Sequence, residues 1–347
     1  MTERQPASIP AEPAPAPELP VIDGYQVKRL LGTGATARVY LARSSEGQRV
    51  ALKVLLSPEK LQSNPAAADM FANEVRMTGQ LRHPNLIRSY GGQAYGEGAY
   101  LALEYFPEGS LDQQMMAGVP LPQAQALGIL RDIASGLAYM HGQGAVHQDV
   151  KTQNVYLDGE RAVLADLGSA YMTGQGGKSG GSPYYMAPEI YRGEEGTAAS
   201  DVYSFGVMAY EMLAGQRPFQ GETYEELMGE HLNVSAPSLS HLNPEVPRPI
   251  ARLMQRALAK APADRPPLAD ILAAIREELG ETAGEDAAQA PCSPTTESGQ
   301  LLGRAPAAPP HQRPEPQPEA PAPEPEASGA AGLLSKLNPF RRRNGAG

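Results

Sequence analysis

The sequence predicts an α+β fold of two lobes, a small β-rich lobe with one helix followed by a larger helical lobe. Three observations carry this. Residues 25–55 alternate apolar and polar side chains in three short runs, the pattern of strands with one buried face. From residue 122 onward the apolar side chains recur at helical spacing. Both ends of the 347-residue chain lack either period, which confines the folded domain to about residues 22–280.

In the small lobe, about residues 22–104, the stretches 25–31, 39–43 and 49–55 read as strands, the first two joined by a glycine turn. Ser63-Asn64-Pro65 offers an N-cap with proline in the first turn, and opens a helix of about 17 residues ending near Arg82. Residues 100–104 (YLALE) add another strand. The larger lobe, about 107–280, begins its helical pattern at Pro122. Leu127, Leu130, Ala134 and Leu137 share one face of that helix, and Gly142 and Gly144 end it. Short strands at 155–157 and 162–164 follow, then a loop rich in Gly and Ser at 168–182. Further helices are expected near 199–214, 249–259 and 267–279, and no internal repeat is visible.

Segments 1–21 and 281–347 hold 6 and 12 of the 34 prolines, interleaved with Ala and Glu. Such segments bury too little apolar surface to offset their chain entropy, so both are expected to be disordered. The net charge of −10 argues against nucleic-acid binding. The lone cysteine, Cys292, excludes a disulfide framework and fits the reducing cytoplasm. The first residues, MTERQPASIPAEP, lack the apolar stretch of a secretory signal. No apolar run approaches the ~18 residues that a spanning helix needs, and a cytoplasmic location is expected. Residues 333–343 set apolar side chains beside Arg341, Arg342 and Arg343, which raises peripheral contact with an anionic membrane. Pro339 limits any helix there, and a solvated basic end is the preferred reading.

The first two strands flank Gly32-Thr33-Gly34-Ala35-Thr36-Ala37. Two glycines let backbone N–H groups approach phosphate oxygens, although a plain hairpin turn explains them equally well. A dinucleotide-binding turn fits poorly, because that motif opens a helix and the residues after Ala37 read as a strand. Lys53 ends Val50-Ala51-Leu52-Lys53 on the third strand, and a charge in an apolar strand needs a partner. Glu74, in the predicted helix, can supply that partner while Lys53 grips the α- and β-phosphates of a nucleotide. Downstream come His147-Gln148-Asp149-Val150-Lys151-Thr152-Gln153-Asn154, then Asp166-Leu167-Gly168, then Ala187-Pro188-Glu189.

In this order and spacing the motifs resemble the eukaryotic-type protein kinase family over about residues 25–279, and the Pro/Ala-rich ends resemble its bacterial members. The resemblance implies the bilobal protein kinase fold and an enzyme that transfers the γ-phosphoryl of ATP to Ser or Thr hydroxyls of proteins. It implies Mg²⁺, or Mn²⁺ in its place, held by Asn154 and Asp166, whose oxygens suit a hard cation. Asp149 would orient the substrate hydroxyl and take its proton, and Lys151 would neutralise the transferring phosphate. Gly32, Gly34, Val39, Ala51, Lys53, Glu74, Leu103, Glu104 and Phe106 would form the ATP site, with the adenine at the hinge. Gly168 would let the chain turn sharply behind Asp166. His147 takes a core role near Leu167, and Asp201, Glu189 and Arg265 are stability residues.

Lys151 fits the serine/threonine pattern, and Ser182 sits where such kinases place a hydroxyl bonded to the catalytic Asp and Lys. Thr173, Ser179 and Ser182 are the candidate activation-loop phosphosites. Three positions depart from the family. Ala37 replaces a third glycine, Leu167 replaces phenylalanine, and Gln148 replaces the arginine that docks a loop phosphate. Gln148 offers only a neutral donor, so loop phosphorylation is expected to couple weakly to activity. Two other functions compete with catalysis. A nucleotide-binding scaffold without turnover conflicts with the presence of Lys53, Glu74, Asp149, Lys151, Asn154 and Asp166. A proline-rich docking platform lacks a clear basic-PxxP ligand. Small-molecule phosphotransferases of the same fold usually lack the Ala-Pro-Glu segment.

Overall fold

The computed structural model of the protein describes residues 19–57, 61, 66–115, 119–173 and 181–281. All lie in Met1–Cys292, the first of two compact units. The expected cap at 63–65, Ser179, the segments 1–18 and 282–347, Cys292 and the basic end at 333–343 lie outside the described residues.

The small lobe is an antiparallel sheet of β1 (Tyr25–Thr33), β2 (Ala37–Ser44), β3 (Arg49–Leu55), β4 (Ser89–Gln93) and β5 (Tyr100–Glu104), in the order β1-β2-β3-β5-β4. β1 and β2 run further into the glycine turn than their alternation indicates, because Gly32 pairs with Val39 and Thr33 with Arg38. The Gly34 N–H then donates to the Ala37 carbonyl at 2.8 Å and closes the turn. Ala37, at the third glycine position, turns inward and joins Phe71, Ala99 and Leu101 in a small core cluster. β4 escapes the sequence reading because Gly91 and Gly92 interrupt its alternation. Gly92 is there for space, since a Cβ would stand 2.9 Å from the Tyr100 carbonyl and 3.2 Å from Val75 Cγ1. Val75 belongs to α1 (Ala67–Gln80), which packs on β4 and buries Phe71, Glu74 and Met77. α1 stops at Gln80, short of Arg82, where Leu81 goes extended and its N–H caps the Met77 carbonyl.

The larger lobe comprises α2 (Leu111–Gln114), α3 (Gln123–Gly142), the short strands β6 (Ala145–Val146), β7 (Val155–Asp158), β8 (Arg161–Leu164) and β9 (Tyr171–Met172), and helices α4 (Pro188–Tyr191), α5 (Ala198–Ala214), α6 (Tyr224–Asn233), α7 (Leu239–Leu242), α8 (Arg248–Ala257) and α9 (Leu268–Leu279). The predicted face of α3 (Leu127, Leu130, Ala134, Leu137) is fully buried against α5 and α9. α6 was legible and missed. Its Thr223-x-x-Glu226 makes both bonds of a capping box. Among the described residues no helix is long and apolar enough to cross a membrane.

Among the described residues of the large lobe, the Arg265–Glu189 ion pair lies out of water. Arg265 Nη1 and Nη2 donate to Glu189 Oε1 and Oε2 at 2.6 and 2.7 Å, with side chains 1% and 3% exposed. Burial alone would raise the Glu189 carboxyl, but the guanidinium and the Ser200 hydroxyl hold it below its ordinary value.

His231 of α6 is fully buried among Tyr191, Tyr203 and Phe219, its Nδ1 2.9 Å from the Tyr203 hydroxyl. Burial and the nearby Lys260 ammonium push its pKa down from 6.5 to about 3. The unfolded chain therefore binds a proton at this residue below pH 6.5 that the folded chain refuses until about pH 3. Stability is expected to fall across that window by up to roughly 5 kcal/mol from this group alone. His231→Gln keeps an acceptor for Tyr203 and does not titrate. Urea unfolding of both proteins at pH 7.5 and pH 4.5 checks this, and an equal loss in both contradicts it.

Candidate active site

A cavity of about 410 Å³ lies between the lobes. The sheet contributes Gly32, Val39 and Ala51, with Lys53 and Glu74 at the inner end. Leu103, Glu104 and Phe106 line it along the connecting segment, and Asn154 and Asp166 face it from the large lobe. Gly34 is the one expected nucleotide residue that does not line it. Leu31, Ile87, Tyr156 and Ala165 do, and no motif marks them. They are apolar or aromatic; Leu31 and Tyr156 lie on strands, while Ile87 and Ala165 lie just outside strand ends, the Ile87 N–H donating to the Leu164 carbonyl at 2.9 Å and the Ala165 N–H to the Asn154 carbonyl at 2.8 Å. The Tyr156 and Phe106 rings meet there at 5.4 Å.

Lys53 reaches from β3 to α1. Its Nζ stands 2.8 and 2.6 Å from the two Glu74 oxygens and 3.9 Å from Asp166 Oδ1. Burial alone would lower the Lys53 ammonium, but Glu74 and Asp166 override it and hold its pKa above the ordinary value. The same burial, with Asp166 close by, raises the Glu74 carboxyl against the pull of Lys53. Both Glu74 oxygens face the Lys53 Nζ within hydrogen-bond distance, the contact an ammonium makes with a carboxylate.

Asp149 lies on the loop between β6 and β7, and both of its oxygens are taken. Ser182 donates to Oδ1 from its N–H at 3.0 Å and its hydroxyl at 2.9 Å. Lys151 Nζ donates to Oδ2 at 2.6 Å, and Asn154 Nδ2 to the same oxygen at 3.1 Å. Lys151 also donates to the Ser182 hydroxyl at 2.6 Å, so four of the expected residues, Asp149, Lys151, Asn154 and Ser182, form one bonded group. Burial would raise the Asp149 carboxyl, but Lys151, then His147 and Ser182, hold it below the usual carboxylate range.

Two non-glycine residues in the described chain take left-handed backbone angles, Gln148 at φ 69° and Asp166 at φ 63°. Each flanks the polar cluster, and each costs on the order of 1–3 kcal/mol unless its surroundings impose it. The surroundings do. Asp201, fully buried in α5, accepts the N–H groups of His147 and Gln148, both at 2.8 Å, and faces His141 Nε2 at 2.8 Å. Behind Asp166, Asn73 of α1 donates to the carbonyls of Gly168 and Ala170 at 3.1 and 2.6 Å. The sharp reversal expected at Gly168 therefore sits on Asp166. Gly168 serves a different need, since a Cβ would stand 3.3 Å from Asp166 Oδ1 and 3.7 Å from Glu74 Oε2.

His147 is fully buried, as is Leu167. Its Nδ1 accepts the Asp149 N–H at 3.2 Å, so Nε2 carries the proton and donates to the Ala165 carbonyl at 3.1 Å. A ring with both nitrogens engaged is not a free base. Gln148 is buried too, its amide against Gly196, where a Cβ would come within 2.8 Å of Nε2. Thr173 is exposed and donates from its hydroxyl to the Gly144 carbonyl at 3.1 Å.

Asn154 and Asp166 fit a hard divalent cation. Asn154 uses its Nδ2 toward Asp149, which leaves Oδ1 without a donor among the described residues, and Asp166 has Lys53 at 3.9 Å as its nearest cation among them. Oxygens with no close donor at one end of a cavity are what such an ion takes.

Two lobes, a nucleotide-sized cavity between them and this ordered polar group define the protein kinase fold. The family model described as protein kinase domain matches residues 25–274, and the chain belongs to that family. Its similarity runs to bacterial proteins named serine/threonine-protein kinases. It is 33% identical to pkn2 of Myxococcus xanthus over 284 residues, 76% of this chain and 34% of that one. It is 31% identical to PrkC of Bacillus subtilis over 249 residues, 70% of this chain and 38% of that one. With PknA of Mycobacterium tuberculosis it shares 34% over 268 residues, 73% of this chain and 61% of that one. The chain thus spans little more than a third of the length of the first two.

Proposed function

We propose that the protein is an ATP-dependent serine/threonine kinase acting on other proteins in the cytoplasm. The observation that carries this reading is the bonded group of Asp149, Lys151, Asn154 and Ser182 beside a cavity holding the Lys53–Glu74 pair. Lys53, fixed by Glu74, would grip the α- and β-phosphates, while Val39, Ala51, Leu103 and Phe106 enclose the base. The protein hydroxyl forms the new bond to the γ-phosphorus, the bridging P–O bond breaks, and ADP leaves. Asp149 orients that hydroxyl and takes its proton. A carboxylate held anionic is a weak base, so its first contribution is orientation. Lys151 lies within reach of the charge passing between the two oxygens. Magnesium, held by Asn154 and Asp166, would neutralise phosphate charge.

The test is transfer of label from γ-labelled ATP to a generic protein by the full chain, followed by acid hydrolysis. Label in phosphoserine or phosphothreonine is expected, and label in phosphotyrosine alone contradicts the assignment. The domain boundaries, 22–280, belong to the same proposal. A chain of residues 20–282 is expected to fold and keep most of the activity, and an insoluble or inactive product overturns these boundaries.

Ser182 and Thr173 are expected to behave oppositely. Ser182→Ala removes two bonds from the Asp149–Lys151 group and should lower transfer about tenfold or more. Thr173→Ala, after phosphatase treatment of both proteins, should change it less than twofold, because Gln148 carries no charge for a loop phosphate. A large loss in Thr173→Ala contradicts the weak coupling.

A further inference from the structure

A second cavity, about 600 Å³, lies on the other side of Glu104 from the first and shares only Ile87 and Glu104 with it. Three arginines line it, Arg82, Arg88 and Arg161, against one acid, Glu104. Arg161 is satisfied, donating to Glu104 Oε1 at 2.5 Å, to Asp158 at 3.0 Å and to the Pro84 carbonyl at 3.1 Å. Arg82 and Arg88 are exposed, and neither guanidinium makes a hydrogen bond or ion pair among the described residues. Both are nevertheless anchored. The Arg82 N–H donates to the Tyr139 hydroxyl at 3.3 Å, and the Arg88 carbonyl accepts from the Glu104 N–H at 2.9 Å. The Arg88 guanidinium also lies over the Tyr90 ring, 5.2 Å from its centroid. The Thr78 hydroxyl, on a residue 3% exposed, and Glu104 Oε2 belong to residues lining the same cavity, and neither has a hydrogen-bond partner among the described residues.

Two uncompensated guanidinium groups on fixed backbone, with an unsatisfied hydroxyl beside them, stand out in a chain of net charge −10. They match a phosphate monoester, which offers several acceptor oxygens and pairs with arginine through two parallel bonds. Clustered arginines read phosphorylated motifs in the same way. The cavity exceeds what a phosphate alone fills, and Leu81, Leu86 and the Tyr139 ring give apolar contact to neighbouring residues of a chain. We propose that this cavity binds a phosphoserine- or phosphothreonine-bearing protein segment, behind the site where such products are formed. The choice of ligand rests on the kinase reading, and the binding itself does not.

The test uses the full chain without nucleotide, so its outcome is independent of turnover. Three probes are titrated: phosphothreonine peptides with randomised flanks, the same peptides unphosphorylated, and inorganic phosphate. The phosphopeptides are expected to bind at least tenfold more tightly than either control, and more weakly as salt rises. Arg82→Ala/Arg88→Ala should lose at least tenfold of that affinity while keeping the parent melting temperature and the parent rate on a generic substrate. Equal binding of phosphorylated and unphosphorylated peptides, equal affinity in parent and double variant, or saturation by inorganic phosphate as tightly as by peptide each overturns the proposal.

Discussion

Replacing Asp149 by asparagine is expected to lower phosphoryl transfer by roughly 10²–10⁴-fold while nucleotide binding and folding persist. The carboxylate is the one group whose two oxygens meet Lys151, Asn154 and Ser182 together. Asparagine keeps the shape but sets an N–H₂ against donors that formerly pointed at an anion, and it accepts no proton from an incoming hydroxyl. Asp149 does not line the nucleotide cavity, so ADP affinity should change little. A variant that turns over near the parent rate with a normal melting profile removes Asp149 from the chemistry. One that fails to fold would show that Asp149 mainly supports the loop.

The second large effect is on stability. Arg265→Met is expected to destabilise the fold by roughly 3–5 kcal/mol, because it leaves Glu189 charged, buried and unpaired. Arg265 also donates to the carbonyls of Ala199 and Ala259 at 2.8 and 3.0 Å and lies 5.0 Å from the Tyr203 ring, so several contacts go together. For a domain of this size the melting temperature should fall by roughly 10 °C or more. Glu189→Gln/Arg265→Met removes the stranded charge and should recover part of the loss. An unchanged melting temperature in Arg265→Met, or no recovery in the double variant, contradicts the desolvated-pair argument.

How much of this was legible depends on where the signal sat. The α3 face, β3 and the hinge strand could be read because one buried face repeats at a regular period. The polar cluster could be read because its residues follow one another within 147–154 and 166–168. β4 could not, since Gly92 answers to the Tyr100 carbonyl and to Val75 of α1 packed against it. Asn73 was equally hidden, as an asparagine on a helix carries no sign that it ties down a loop almost a hundred residues away. Tyr156 follows Asn154 by two residues, and its place in the cavity comes from the pairing of β7 with β8. The left-handed angle fell on Asp166 and not on Gly168. A glycine signals either freedom or lack of space, and only the neighbouring Glu74 and Asp166 oxygens decide which.

The most direct test of the central claim measures nucleotide binding and phosphoryl transfer on the same preparation of the full chain. The account predicts that the parent binds ADP with magnesium and transfers label from ATP to protein. Lys53→Met should weaken both, and Asp149→Asn should bind as the parent does without transferring. Tight, magnesium-dependent binding by the parent with no transfer to any protein substrate would contradict it, and would make the cluster a nucleotide-holding scaffold.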